Sequence, residues 1–317
     1  MTQAPIDPRP SVDPRPAVAP QTPVAPQNAA GRGDVLRAAV WMLGSVVSFT
    51  SMAIAGRAVS GKLDTFEIMT FRSAVGLAVV LAVGIATGRT REARMARAPL
   101  QVLRNLAHFT GQNLWFLALT MIPIAQVFAL EFTSPLWILV LAPLVLGERV
   151  RPLQYAVAAI GFCGVLVVAR PFGGGLSPGL LWAALAALAF ATTGLLTRRL
   201  TRTETVWGIL IWLTTTQLVM GAICAGFDGD VAWPGPAELP WIVLIGLAGL
   251  AAHWCLTTAL SLADVSTVMP VDFLRLPIAA AAGAVLYGEA VDPFVLLGGA
   301  IVFAAAWANL RIASRAA

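Results

Sequence analysis

The 317-residue chain has little charge, a single lysine and few of the side chains on which catalytic or metal chemistry is usually built. Asp, Glu, Lys and Arg make up 12% of it, against about 25% in a soluble domain, so an ordinary soluble fold is excluded. Because Lys62 is the only lysine, the formal charge of +5 rests on arginine, and nothing in that balance points to nucleic acid. The three cysteines, Cys163, Cys224 and Cys255, fall in three separate apolar runs, which argues against a disulfide framework and for small buried residues. Two histidines, His108 and His253, do not build a metal site, and neither a metal nor a cofactor is expected. HExxH and GxxxxGK[ST] are also missing. With them go the usual signatures of zinc hydrolysis and direct nucleotide-driven work.

What the chain has in abundance is apolar: 58% of its residues are hydrophobic, and the mean hydropathy is +0.80. A span of the bilayer core takes about 20 such residues. Ten runs of about that length are present, at 35–57, 66–87, 101–121, 124–146, 152–169, 177–196, 206–226, 239–260, 265–287 and 293–310. Residues 1–33 hold eight of the 21 prolines and repeat DPRP at 7–10 and 13–16; such a segment has too little to bury and is expected as a disordered tail. No apolar core precedes Val35, so this tail does not read as a signal peptide. The arginines set the orientation. With the N-terminus inside, Arg89, Arg91, Arg94, Arg97, Arg104, Arg149, Arg151, Arg198, Arg199 and Arg202 all fall on the inner side, while Arg57, Lys62 and Arg170 fall outside. Both termini are then expected in the cytoplasm of a bacterium, as a multi-pass protein of its inner membrane. Five spans on each side of residues 173 and 174 make the second half run in the opposite sense from the first, giving units 34–173 and 174–317.

That doubling is written in the residues. Residues 118–152, ALTMIPIAQVFALEFTSPLWILVLAPLVLGERVRP, place Glu131 inside an apolar span, with Pro135 four positions later withdrawing the N–H that would have bonded the carbonyl of residue 131. Residues 259–293, ALSLADVSTVMPVDFLRLPIAAAAGAVLYGEAVDP, fall on this stretch at a shift of 141 without a gap. Glu131 falls on Asp272, Phe132 on Phe273 and Glu148 on Glu289, and the same shift carries Phe49 onto Phe190 and Arg57 onto Arg198. Pro270 and Pro277 are expected to bend the ninth span as Pro135 bends the fourth. Asp64 and Glu67 have the spacing of a capping box. Gly161, Gly164, Gly298 and Gly299 mark spans five and ten as scaffold or dimer surface.

The run from Leu103 to Leu136, with FLAL, IP and FTSPL, followed by LGERVRPLQYAVAAIGFCGVLVVARP, resembles the EamA repeat of the drug/metabolite transporter superfamily. The likeness covers about residues 35–310 and recurs more loosely in the second half. It implies an all-α integral membrane fold of ten helices, arranged as two inverted five-helix repeats around a central cavity, which moves small metabolites by alternating access. It also implies that Arg72 is the family's arginine of the second span, and that Glu148 is its glutamate at the end of the fourth, with Glu289 as repeat partner. TFEIMTFRS and DFLRLP are similar to branches that carry S-adenosylmethionine, riboflavin or amino-acid-like compounds.

Ionisable groups inside spans mark a substrate or ion path by default. They are Arg72, His108, Glu131, His253, Asp272 and Arg275, each with a structural alternative. Arg72 lies about 10 Å deep at 1.5 Å per residue, too deep to reach water easily. Glu131 suits an amine, a coupling proton or a helix-to-helix hydrogen bond. Asp272 and Arg275 are three apart, as in a local ion pair. Histidine suits proton relay or a quiet interior hydrogen bond. Phe128 and Trp254 are candidate cavity aromatics, whereas Glu148 and Glu289 read better as turn residues. The four deep charges sum to zero, so a zwitterionic, cationic or neutral polar metabolite is expected. Protons are a candidate coupling ion and a homodimer a candidate assembly. A channel or scramblase and a membrane-embedded lipid-modifying enzyme are the rival classes; counterflow separates the former, and the missing HExxH motif and carboxylate-rich loop weigh against the latter.

Overall fold

The computed structural model describes residues 32–90, 97–146, 150–170, 177–200, 203–227, 229–262 and 271–314. Glu148, Pro270 and Ser266 lie outside them. The described chain is helical throughout: α1 (Arg32–Val59), α2 (Thr65–Ala86), α3 (Ala98–Met121), α4 (Ile124–Glu131), α5 (Ser134–Leu146), α6 (Pro152–Ala169), α7 (Pro178–Leu200), α8 (Val206–Ala225), α9 (Leu239–Leu262), α10 (Arg275–Tyr287) and α11 (Pro293–Ser314). Helices α4 and α5 together form the fourth span, and α10 belongs to the ninth. The expected box opens α2, with Asp64 accepting from the Glu67 N–H and Glu67 from the Asp64 N–H, both at 2.8 Å.

The packing has the symmetry that the duplication requires. The most extensive helix pairs are α1 with α9, α3 with α7, α2 with α8 and α6 with α11, and α4 meets α10. Exchanging every span for the one five places away turns the first pair into the second and returns the other three to themselves. The two repeats are therefore related by a pseudo-two-fold axis that passes between α4 and α10. On the α6/α11 pair, a Cβ at Gly164 would lie 2.7 Å from the Gly298 carbonyl oxygen, and one at Gly298 would lie 2.6 Å from that of Gly164. Only glycine permits this approach, and it makes spans five and ten an internal scaffold.

Proline breaks the fourth span where expected. Helix α4 stops at Glu131 and α5 starts at Ser134. The freed carbonyl of Glu131 does not stay open: the Ser134 hydroxyl donates to it at 2.7 Å. Near Pro277, the carbonyl of Phe273 is likewise taken, by the Leu276 N–H at 3.1 Å. Neither break leaves a bare backbone oxygen for a ligand.

Seven stretches of the described residues are long and apolar enough to cross a membrane, and α10 and α11 are shorter apolar helices. Helix α3 is outside both groups. Its Gln101, Arg104, Asn105, His108 and Gln112 are all buried, and their spacing of three or four residues puts them on one helical face. The third span thus carries a polar stripe into the centre of the bundle.

Candidate functional site

Two polar clusters occupy the core, with Phe49 of α1 between them. The first lies where α4 breaks and α10 begins. Arg275 Nη1 donates to Glu131 Oε1 at 2.8 Å, and Nη2 donates to Asp272 Oδ2. Trp115 Nε1 of α3 donates to Glu131 Oε2 at 2.9 Å. The side chains of Asp272, Arg275 and Glu131 are 6%, 7% and 19% exposed. The guanidinium carbon is 4.7 Å from the ring centre of Phe49, 5.3 Å from Phe128 and 5.2 Å from Phe132, so cation–π contacts replace part of its hydration.

The second cluster is built by the α3 stripe and its neighbours. Arg72 of α2 donates to Gln112, and Gly249 leaves room for its guanidinium, since a Cβ there would lie 2.9 Å from Nη2. Arg104 donates to the Thr197 hydroxyl at 3.0 Å and to Asn105 at 2.9 Å. Neither arginine has a carboxylate within ion-pair reach among the described residues. The rings of His108 and His253 are 6.2 Å apart. Phe49 stands edge-on to His253 at 5.6 Å, and its repeat image Phe190 lies 5.9 Å from His108. Arg72, Ser73, His108, Gln217 and His253 line a pocket of about 30 Å³. In it Ser73 Oγ, His108 Nδ1 and Gln217 Nε2 are buried without a hydrogen-bond partner in the protein, although buried polar groups are nearly always paired. This pocket adjoins a cavity of about 700 Å³ between α2, α8 and α9, with which it shares Leu210, Leu250 and His253. The larger cavity runs out past Trp207, Trp254 and Arg89.

The opposite end of the bundle is tied shut. Arg57 closes α1 and forms an ion pair with Glu289. It also donates to the last carbonyls of α3, including that of Leu119 through Nε at 2.7 Å, while Glu289 accepts from the first N–H of α4, at Ile124, at 3.0 Å. Each charge therefore faces the helix end that its sign favours. Tyr287 donates to the Ile54 carbonyl at 2.8 Å, Arg170 pairs with Asp292, and Lys62 pairs with Glu238 at 3.0 Å. The last carboxyl is held below the ordinary carboxylate value, chiefly by the hydrogen bond from Lys62 and also by the Gly235 N–H. Glu67 accepts from the Ala232 N–H, so the α2 cap also holds the loop before α9.

The sequence candidates thus divide into Glu131, Asp272 and Arg275 on one side of Phe49 and Arg72, His108 and His253 on the other. Trp254 lines the large cavity. Phe128 does not: it is wholly buried and packs on Arg275. Glu289 is a cross-repeat tie rather than only a turn residue. Arg104, counted from the sequence with the connecting segments, is 7% exposed inside α3, so the deep charges sum to +1 and not to zero. Its signal was the polar spacing over 101–112, which a search for apolar runs passes over. The Arg57–Glu289 pair spans 232 residues and has no local signature.

The EamA-like transporter family matches the chain twice, over residues 36–170 and 177–311. A riboflavin transporter of Rhizobium johnstonii is 36% identical over 204 residues, 63% of this chain and 66% of the relative, just under two thirds of its length. An S-adenosylmethionine uptake transporter of Rickettsia bellii is 26% identical over 267 residues, 84% of this chain and 90% of that one. A riboflavin transporter of Brucella anthropi is 30% identical over 227 residues, 70% and 80% of the two chains. A crystal structure superposes with a TM-score of 0.62 at 22% identity, covering 88% of this chain and 98% of its own; at that identity it speaks for the fold alone.

Proposed function

Because the chain belongs to the EamA-like transporter family, we propose that it is a secondary transporter of the bacterial plasma membrane, moving a small polar metabolite by alternating access. The observation that carries this reading is the 700 Å³ cavity, which opens at one end of the bundle and leads to a pocket of unpaired polar groups, while ion pairs tie the other end. With the arginine asymmetry setting the orientation, the cavity faces the cytoplasm and Arg57 the outside.

Arg72, Ser73 and Gln217 offer donors at the bottom of the path, and Trp207 and Trp254 offer ring faces along it. A planar or amino-acid-bearing metabolite with acceptor oxygens suits that sequence of surfaces, and riboflavin-like and S-adenosylmethionine-like compounds are the substrate classes proposed. The test is a thermal-shift panel followed by counterflow. The purified chain is expected to be stabilised by riboflavin, S-adenosylmethionine or an amino acid, since a ligand that binds only the folded state raises its stability by mass action. Vesicles preloaded with that compound should take up labelled compound faster than empty ones. Uptake that is indifferent to preloading would identify a pore.

A further inference from the structure

We infer that the pocket of about 30 Å³ at the bottom of the cavity is a seat for one carboxylate, and that the substrate is a metabolite carrying a carboxylate at one end of a larger apolar or planar body. The inference rests on the transport reading for the identity of the ligand as substrate. The seat itself follows from the side chains that line it.

The polar lining is one-sided. Ser73, His108 and Gln217 are 4%, 4% and 3% exposed, and Ser73 Oγ, His108 Nδ1 and Gln217 Nε2 have no hydrogen-bond partner in the protein. An amide nitrogen only donates, and a hydroxyl and a neutral imidazole can each donate. Arg72 is, among the described residues, the one formally charged side chain in the lining. Its Nη1 donates to Gln112 and lies 3.8 Å from Met69 Sδ, which leaves Nε and Nη2 without a partner among the described residues. Gly249, where a Cβ would lie 2.9 Å from Nη2, also lines the pocket, so the space kept open there belongs to it.

No carboxylate lines the pocket or the larger cavity among the described residues. Glu204, 8% exposed in the turn before α8, is out of ion-pair reach of both arginines and lines neither space. Arg104 and the Glu131–Arg275–Asp272 triad beyond Phe49 also lie outside the lining, so the charge at the seat is that of Arg72. With the histidines counted as neutral, the five deep charges sum to +1, and a bound carboxylate brings the core to neutrality.

Size selects among anions. One water needs about 10–15 Å³, so the pocket has room for about two waters or for the carbon and two oxygens of a carboxylate. A tetrahedral phosphate, larger and up to doubly charged, overfills it. A guanidinium edge holds a carboxylate with two parallel hydrogen bonds, and Ser73 and Gln217 supply donors for the remaining lone pairs. The rest of the molecule lies in the 700 Å³ cavity, against Val79, Val83, Leu210 and Leu250 and the rings of Trp207 and Trp254. Of the compounds in the panel above, this singles out those with an amino-acid end, because riboflavin has no carboxylate for Arg72.

The test sets each acid against a partner without the carboxylate, on purified full-length protein in detergent. The pairs are S-adenosylmethionine with decarboxylated S-adenosylmethionine and phenylalanine with phenylalaninamide, and phenyl phosphate is the larger anion. Affinity is read from the concentration dependence of the melting temperature. At least one acid should bind about a hundredfold more tightly than its partner, and Arg72→Gln should remove the preference by weakening the acid alone. Ser73→Ala is the second variant should the first not fold. It should weaken the acid about tenfold and leave the melting temperature of the unliganded protein unchanged or higher, because the hydroxyl removed was buried without a partner. Acids and partners that bind equally, a preference that survives Arg72→Gln, tighter binding of phenyl phosphate than of either acid, or no binding by either acid at millimolar concentration would each overturn the seat. Counterflow of the bound acid is a separate arm: its absence with the Arg72-dependent preference intact counts against the transport reading and not against the seat.

Discussion

The two ends of the bundle are made from repeat-related helices, yet one is laced together and the other stands open. At the Arg57 end, side chains from α1, α2 and the segments before α9 and α11 reach across to one another, and Arg57 with Glu289 fills the corner between α3 and α4. At the Arg89 end, α2, α8 and α9 part around the 700 Å³ cavity. A chain whose halves are inverted copies has no reason in its sequence pattern to prefer one end. On the transport reading proposed above, the difference belongs to one state, in which one set of ties is made, and alternation would require that this set break without undoing the α6/α11 scaffold.

The largest effect is expected from cutting the main tie. Glu289→Gln leaves Arg57, whose side chain is 16% exposed, facing carbonyls without its counter-charge. Breaking this partly exposed pair costs about 2 kcal/mol, somewhat below the roughly 3–5 kcal/mol of fully buried pairs, which corresponds to about a thirtyfold shift in the closed-to-open ratio. In a cysteine-free background, Gln126→Cys lies in the shallow depression beside Glu289. Its reaction with a membrane-impermeant thiol reagent should accelerate by about that factor on adding Glu289→Gln, while Thr257→Cys in the open cavity should slow. Both sites reacting at unchanged rates would show that the pair is not a closure.

A smaller effect, which sharpens the view of the open end, is expected at the bottom of the cavity. Gly249→Ala puts a Cβ 2.9 Å from Arg72 Nη2 and should push the guanidinium off Gln112. The expected result is about a tenfold slower counterflow of whichever probe the wild type carries, with little change in thermal stability. Gly61→Ala, where a Cβ meets nothing within 4 Å, is the control and should behave as wild type.

The smallest effect concerns the rim of the sealed end. The Lys62–Glu238 bond holds its carboxyl below the ordinary value, so its contribution is present at neutral pH and is lost as the pH falls through that lowered value. Exposed pairs contribute little. Lys62→Gln should lower the melting temperature by no more than about 1 °C at neutral pH, and the difference should vanish in strong salt and in acid. A large shift would mean that the rim carries part of the closure assigned to Arg57 and Glu289.

Much of this architecture was legible in the chain because it is periodic or repeated. The spans, the capping box at Asp64 and Glu67, the break before Pro135 and the Asp272–Arg275 pair follow from local spacing. The alignment of Glu131 with Asp272 showed that the two carboxylates are repeat images, but not that one arginine serves both, because Arg275 answers to Ser134 in the first repeat and the shared bond crosses 144 residues. Freed proline carbonyls were visible too, but the donors that retake them, Ser134 and Leu276, depend on how each break is folded.

The polar stripe of α3 also bears on how the chain enters the membrane. An arginine at mid-helix adds about 3 kcal/mol to the free energy of insertion; Arg104, in the second turn of α3, adds less, but it is joined on its face by Gln101, Asn105, His108 and Gln112. As it leaves the translocon, such a helix is a poor guest for lipid. Its hydrogen-bonding partners Thr197 and Thr216 lie on α7 and α8, which are synthesised later. The third span should therefore linger at the protein-conducting channel or against its earlier neighbour α2, whose Arg72 bonds Gln112, and settle only when the second half arrives. Nascent chains cut short before residue 178 should leave α3 extractable or open to protease, and chains extended past residue 225 should not.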